Sequence, residues 1–285
     1  TMMRPAPSGV VDAQWTDWAA APKLGARHLR ERMGEAAPLY FVGYSTGAAL
    51  AAVPLIGRSA KAQAWKPTKP VRVVCGYAAG GGSEALARAF SDYLSEQLGQ
   101  PVVVENKAGA SGSVAALEVK RAAPDGYTLM YTISTTMVLN KVLYKNLQYD
   151  TDKDFDLISY VPVPGLPLMA STSTGAKTLK EFVEFARKEK CNVGTYAAGS
   201  FAHLCVAELN KAFDLKIEAV HYRGEAPMWT DLAAGSIHGA IGGPVPALNI
   251  VHTGKGRAVA MLSKKGVKKM PDVPTYIQQG LTGRF

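Results

Sequence analysis

The sequence predicts an α/β fold built as two lobes around a cleft. Three observations predict it. From residue 65 onward, β-branched runs alternate with helical patterns, which reads as parallel strands covered by helices. A segment with three prolines and a glycine, VPVPGLPLMAS at 161–171, divides two such stretches. Two glycine-rich turns, AAGGGS at 78–83 and ASGS at 110–113, each follow a strand-like run and open a helical pattern. The 285 residues are 47% apolar and 19% charged, enough for a sizeable core.

In chain order, strands are expected at 71–75, 101–105, 127–131 and 157–163, with helices over 83–98 and 113–121. The prolines of 161–171 mark that segment as an irregular connection or an edge element. Thr178 and Glu181 form a capping box that opens a helix containing Phe182, Phe185 and Ala186. Then come a strand at 192–195, a helix over 202–213 and a strand at 217–221. A helix over 227–234, a strand at 236–241 and a proline-started helix over 246–252 follow. The strand at 257–262 is expected to return to the first lobe. This gives lobe 1 as 65–165 with 256–285, and lobe 2 as 166–255.

The glycine turns carry the chemistry. A tight turn into a helix leaves backbone N–H groups unpaired at the positive end of the helix dipole. Such a site binds an anion without a charged side chain. Two of them on neighbouring strands could close on one small carboxylate.

The remaining composition narrows the choice. Net charge is +9, but the basic residues are scattered and not interleaved with aromatics, so nucleic acid is not an expected partner. A diffuse positive field suits a small acidic ligand. Cys75, Cys191 and Cys205 are odd in number and lack C-x-x-C spacing, so they read as small buried hydrophobes. Asp150, Asp152, Asp154 and Asp156 alternate like calcium ligands but lack the glycine and terminal glutamate of an EF-hand loop, so a solvated turn is favoured. AAGGGSE lacks the lysine of a P-loop and is not G-x-G-x-x-G. No cofactor and no metal are expected.

Residues 1–64 are organised differently. Basic residues, an apolar stretch and Ala-Gln-Ala within 27–64 give the three regions of a secretory signal, with cleavage after Ala64. A competing reading starts from PLYFVGYSTGAALA at 38–51, a strand, then G-x-S-x-G, then a helix-like run. On that motif, residues 10–52 resemble a fragment of an α/β-hydrolase, and Ser45 would be the nucleophile. A serine hydrolase is therefore the alternative function, although triad partners and an oxyanion hole are not evident.

Several landmarks follow one another in the rest of the chain: AAGGGSE at 78–84, VVVEN-x-x-G-x-x-G at 102–112, AAPDGYTL at 122–129, YDTDKDFDLIS at 149–159, AGSFAHL at 198–204, HYRGEAPMWTDLAAGSI at 221–237 and MPDVPT at 270–275. In their order and spacing, residues 65–280 resemble the periplasmic solute receptors of the tripartite tricarboxylate transporters, also called the Bug family. The resemblance implies a periplasmic, non-enzymatic, monomeric receptor with a Venus-flytrap fold. Its ligand would be a di- or tricarboxylate or related organic acid, passed to membrane permease subunits.

Carried over by position, Tyr77 would bracket the ligand; packing against the neighbouring helix is the competing reading. Ala78, Ala79, Gly80, Gly81, Gly82 and Ser83 would face the anion from the first loop. Ala110, Ser111, Gly112 and Ser113 would form the other half of the clamp. Ser134, Thr135 and Thr136 would turn hydroxyls to the cleft, and Gly199, Ser200 and His203 would reach it from lobe 2. The family's acidic position falls on His238, which implies an anion preferred over an amine-bearing ligand. The family also continues beyond the point where this chain ends at Phe285, which implies a C-terminally truncated fold.

Overall fold

The structure is a computed structural model that describes residues 41–43, 49–52, 66–161 and 165–280. Two short strands, β1 (Phe41–Gly43) and β2 (Ala49–Ala52), flank the G-x-S-x-G segment. Both join the sheet of the first lobe, and β2 runs antiparallel to its neighbours. This overturns the hydrolase reading. A nucleophile elbow runs from a strand into a helix, and here Ala49–Ala52, just beyond the motif, form a strand. Ser45 and the signal cleavage point after Ala64 lie outside the described residues.

The apolar run VRVVC forms β3 (Val71–Cys75), in parallel register with β4 (Val102–Asn106) on one edge and β5 (Thr128–Ile133) on the other. A strand covered on both faces is apolar throughout rather than alternating, and Val71, Val73, Val74 and Cys75 are fully buried. Helix α1 (Gly82–Leu98) lays Ala87, Phe90 and Leu94 on this sheet at helical spacing. Helix α2 (Ser113–Arg121) adds Ala115, Ala116 and Val119. Strand β6 (Asp156–Tyr160) completes a sheet of order β1-β6-β2-β5-β3-β4.

The second sheet has the order β11-β7-β10-β8-β9. Its strands are β7 (Leu166–Ser171), β8 (Asn192–Thr195), β9 (Glu218–His221), β10 (Gly239–Ile241) and β11 (Gly256–Leu262). Helices α4 (Leu179–Lys188), α5 (Phe201–Phe213), α6 (Glu225–Ala234) and α7 (Pro244–His252) cover it, and a short α3 (Asn140–Leu143) belongs to the first lobe. The capping box at Thr178 and Glu181 is formed, with both reciprocal hydrogen bonds at 3.2 Å.

Two sequence expectations fail here. The proline-rich segment supplies an inner strand, not an edge, because Pro167 needs no ladder bond where it sits. It lies opposite Met261, whose own N–H and C=O turn away to Pro274 and Tyr276, and β10 pairs only with Leu168 to Ala170. The strand expected to return to the first lobe instead pairs antiparallel with β7. All six residues of β7 are buried, so its second edge needs a partner, and β11 provides one.

All three cysteines are free and buried. Desolvation raises the Cys75 and Cys191 thiols to about 12, consistent with apolar packing rather than reactivity.

Candidate ligand-binding site

In open α/β sheets, ligands bind beyond the carboxyl ends of the strands. In the first lobe, those ends lead into the loop after β3 and the loop after β4. In the second, they lead into the turns after β8, β9 and β10. These two sets of loops meet. The Ala78 N–H donates to the Arg223 carbonyl at 3.0 Å, the Gly82 N–H to Glu225 Oε2 at 3.0 Å, and Ser111 Oγ to the Ala198 carbonyl at 3.0 Å. Gly224, at φ 139°, makes one approach possible, because a Cβ there would stand 2.9 Å from the Ala78 nitrogen.

Between the loops lies a cavity of about 190 Å³. Tyr77, Tyr144, Tyr196, Tyr222, His221 and Arg223 line it, with Gly76 and the turn from Gly109 to Gly112 as one wall and Ala197 and Ala198 opposite. Arg223 is the one formally charged residue in this lining, and no acidic residue accompanies it. His221 packs against His203 with ring centroids 4.3 Å apart and the ring planes tilted by 60°. Desolvation holds the His221 pKa below the ordinary value, and the neighbouring His203 lowers it further. Its imidazole therefore favours the neutral form, so the charge available to a ligand is the guanidinium.

The loop after β4 is strained. Gly109, Ala110, Ser111 and Gly112 have φ of 145°, 45°, 52° and 85°. A non-glycine residue in this left-handed region costs about 1–2 kcal/mol, and such strain gathers at ligand clamps. Three donors hold the turn in place. Thr136 Oγ1, Asn140 Nδ2 and the Tyr77 hydroxyl all donate to the Ser111 carbonyl, at 3.0, 3.1 and 3.3 Å. Burial raises the Tyr77 phenol pKa, so the hydroxyl keeps its proton for this contact.

The loop after β3 is already engaged. The Gly80 N–H donates to Glu84 Oε2 at 2.7 Å, and Arg88 pairs with the same carboxylate. Burial opposes ionisation of Glu84, but the Gly80 amide and Arg88 outweigh it and lower its pKa. The cavity beside this loop is only about 10 Å³, room for a single water. Its lining includes Tyr77, Ala78, Gly81, Ser83 and Glu225. Desolvation raises the pKa of Glu225 against the opposing amides of Gly243 and Gly82.

The residues singled out from the sequence therefore divide. Tyr77, Ala78, Gly81, Ser83, Ala110, Ser111 and Gly112 line one or other cavity. Ala79, Gly80, Gly82 and Ser113 line neither. Ser134 and Thr135, expected to face the cleft, are buried. The chain bends into a π-helical turn (Thr135–Leu139) directly after β5, and this tucks them beneath the two loops. Gly199, Ser200 and His203 stand behind the wall. Ser200 caps α5 by accepting from the His203 N–H, and His203 Nδ1 accepts from Gly199. His203 reaches the site only through His221. His238 is at the opposite end of its sheet, where Nδ1 accepts from the N–H of Asn192, the first residue of β8, so it adds nothing to the cleft.

Arg223, His221 and Glu225 were missed as site residues. A signal was present: HYRGEAP is a third strand–glycine–helix turn, with charged residues on both sides of the glycine.

The model of the tripartite tricarboxylate transporter family receptor (TctC) matches residues 86–284. The chain belongs to this family. Its members are solute-binding receptors rather than enzymes. A UPF0065 protein of Agrobacterium vitis is 34% identical over 225 residues, which are 78% of this chain and 64% of that relative. This chain thus spans under two thirds of the relative's length. Among solved structures, Rpa4515 of R. palustris with adipate superposes with a TM-score of 0.71 at 29% identity, covering 76% of this chain and 73% of the other. MatC of Rhodopseudomonas palustris with bound malate gives 0.65 at 30% identity, covering 75% and 74%. These neighbours establish the two-lobed binding-protein fold.

Proposed function

We propose that this protein is a periplasmic receptor that captures a small organic acid between its lobes and presents it to the permease subunits of a tripartite tricarboxylate transporter. The observation that carries this reading is the cavity of about 190 Å³ with Arg223 as its sole formal charge, four tyrosines around it and a strained backbone turn on one wall. An anion gains from the guanidinium and from backbone donors there, and meets no opposing carboxylate. Adipate and malate, held by the two structural neighbours, are acids of suitable size.

On this reading, the carboxylate lies against Ala110, Ser111 and Gly112, Arg223 neutralises it, and Tyr77 and Tyr196 flank the carbon chain. The lobes are the two sheets with their helices, and β11 belongs to the second. The receptor acts as a monomer without cofactor or metal.

Titration calorimetry with a panel of small mono- and dicarboxylates tests the proposal. At least one acid should bind the wild type. Arg223→Gln should weaken that acid roughly 10- to 100-fold, the loss expected for one charge-assisted hydrogen bond. Undiminished binding by Arg223→Gln would remove the guanidinium from the site, and failure of every acid to bind would end the receptor reading.

A further inference from the structure

Glu225 is 5% exposed and is the first residue of α6. Its carboxylate accepts from the Gly243 N–H at 2.6 Å and from the Gly82 N–H at 3.0 Å. Gly243 caps α7 and Gly82 begins α1. The amino ends of three helices, one from the first lobe and two from the second, therefore converge on a single side-chain carboxylate. Each end favours negative charge. Glycines shape the space around it, since a Cβ built on Gly82, Gly242 or Gly243 would stand 3.0 to 3.2 Å from a Glu225 oxygen. This is an anion cradle, and the protein's own side chain fills it.

We propose that Glu225 sets the charge of the ligand: by occupying the anion position of the loop after β3, it restricts the receptor to acids that present one carboxylate to Arg223 and the loop after β4. This inference rests on the proposed carboxylate receptor and narrows it. The cavity beside Glu225 shares Tyr77 and Tyr196 with the larger one, so a second carboxylate directed along the cleft toward that loop meets Glu225. Two carboxylates sharing a water-poor site repel, because neither gains enough solvation to remain charged beside the other. A neutral tail meets no such penalty.

Calorimetry on length-matched pairs tests this, with hexanoate against adipate and butyrate against succinate. Three proteins are compared: the wild type, Glu225→Gln, which keeps the shape without the charge, and Glu225→Ser, which empties the cradle. In the wild type, each monoacid should bind at least about tenfold tighter than its diacid. Glu225→Gln should narrow that ratio, and Glu225→Ser should narrow it further, by about tenfold relative to the wild type. Diacids binding the wild type more tightly than their monoacid partners would overturn the inference without touching the receptor reading. So would a ratio identical in all three proteins. If no member of either pair binds any of the three, the receptor reading fails, and this inference fails with it.

Discussion

The loop after β3 meets the second lobe with its Gly80 and Gly82 amides already bonded to the protein's own carboxylates. The loop after β4 instead carries four successive residues at positive φ and lines a cavity of about 190 Å³. The same kind of small-residue turn thus has two uses. One is an interlobe contact satisfied from within, and the other is a strained turn that faces an open cavity. The difference comes from what faces each loop. Glu225 reaches the first, whereas only backbone and uncharged side chains, with Arg223, reach the second.

The largest test of this contrast is steric. A Cβ on Gly112 would stand 2.1 Å from Thr136 Oγ1, at φ 85°, and Thr136 is fixed by bonds to Thr132 and the Ser111 carbonyl. Gly112→Ala should lose about 3 kcal/mol in urea denaturation. Gly81 has φ −93°, and its added Cβ would meet nothing nearer than 3.4 Å. Gly81→Ala should stay within about 1 kcal/mol of the wild type. Equal losses in the two loops would erase the distinction.

The two carboxylates on the first loop should respond to pH in opposite senses. The lowered pKa of Glu84 gives stability that is present in full above the ordinary value of 4.5 and is lost as pH falls through the lower folded value. Glu225 has a raised pKa, so between pH 4.5 and that raised value the native state holds a proton that the unfolded chain has released, and above it the carboxylate is charged. Its effect is a decline in stability as pH climbs from 4.5 through the raised value. Melting curves between about pH 4 and pH 8 should show Glu225→Gln flattening the decline at the upper side, while Glu84→Gln removes up to about 1 kcal/mol near neutrality. Matching slopes for the two variants would contradict the assignment.

The smallest effect concerns strain. Ala110 sits at φ 45°. Ala110→Gly should relieve about 1 kcal/mol, offset in part by the greater freedom of glycine in the unfolded chain. A small rise in melting temperature with weaker acid binding would fit a turn held strained for a ligand. A clear fall would mean that the turn is not strained.

Much of the frame was legible in the residues. The VRVVC and VVVEN runs, the spacing of Ala87, Phe90 and Leu94, and the Thr178–Glu181 box each specify a local element, and each forms where expected. Pro167 misled, because whether a proline breaks a strand depends on which side the neighbouring ladder bonds point. His238 misled for a related reason: the family position it matches does not tell which end of the sheet it occupies. Ser134 and Thr135 match family positions that face the cleft, and their burial follows from a bend that their sequence does not announce.

The sequence by itself determined the alternation of strands and helices, the glycine turns at strand ends and an excess of positive charge, since these depend on neighbours within a few residues. Only the tertiary structure decided that Glu225 would fill one turn, that Arg223 would stand alone beside the other, and that β11 would side with β7. Those outcomes depend on which groups, far apart in the chain, share a space too small and too dry for an unpaired charge or an open strand edge.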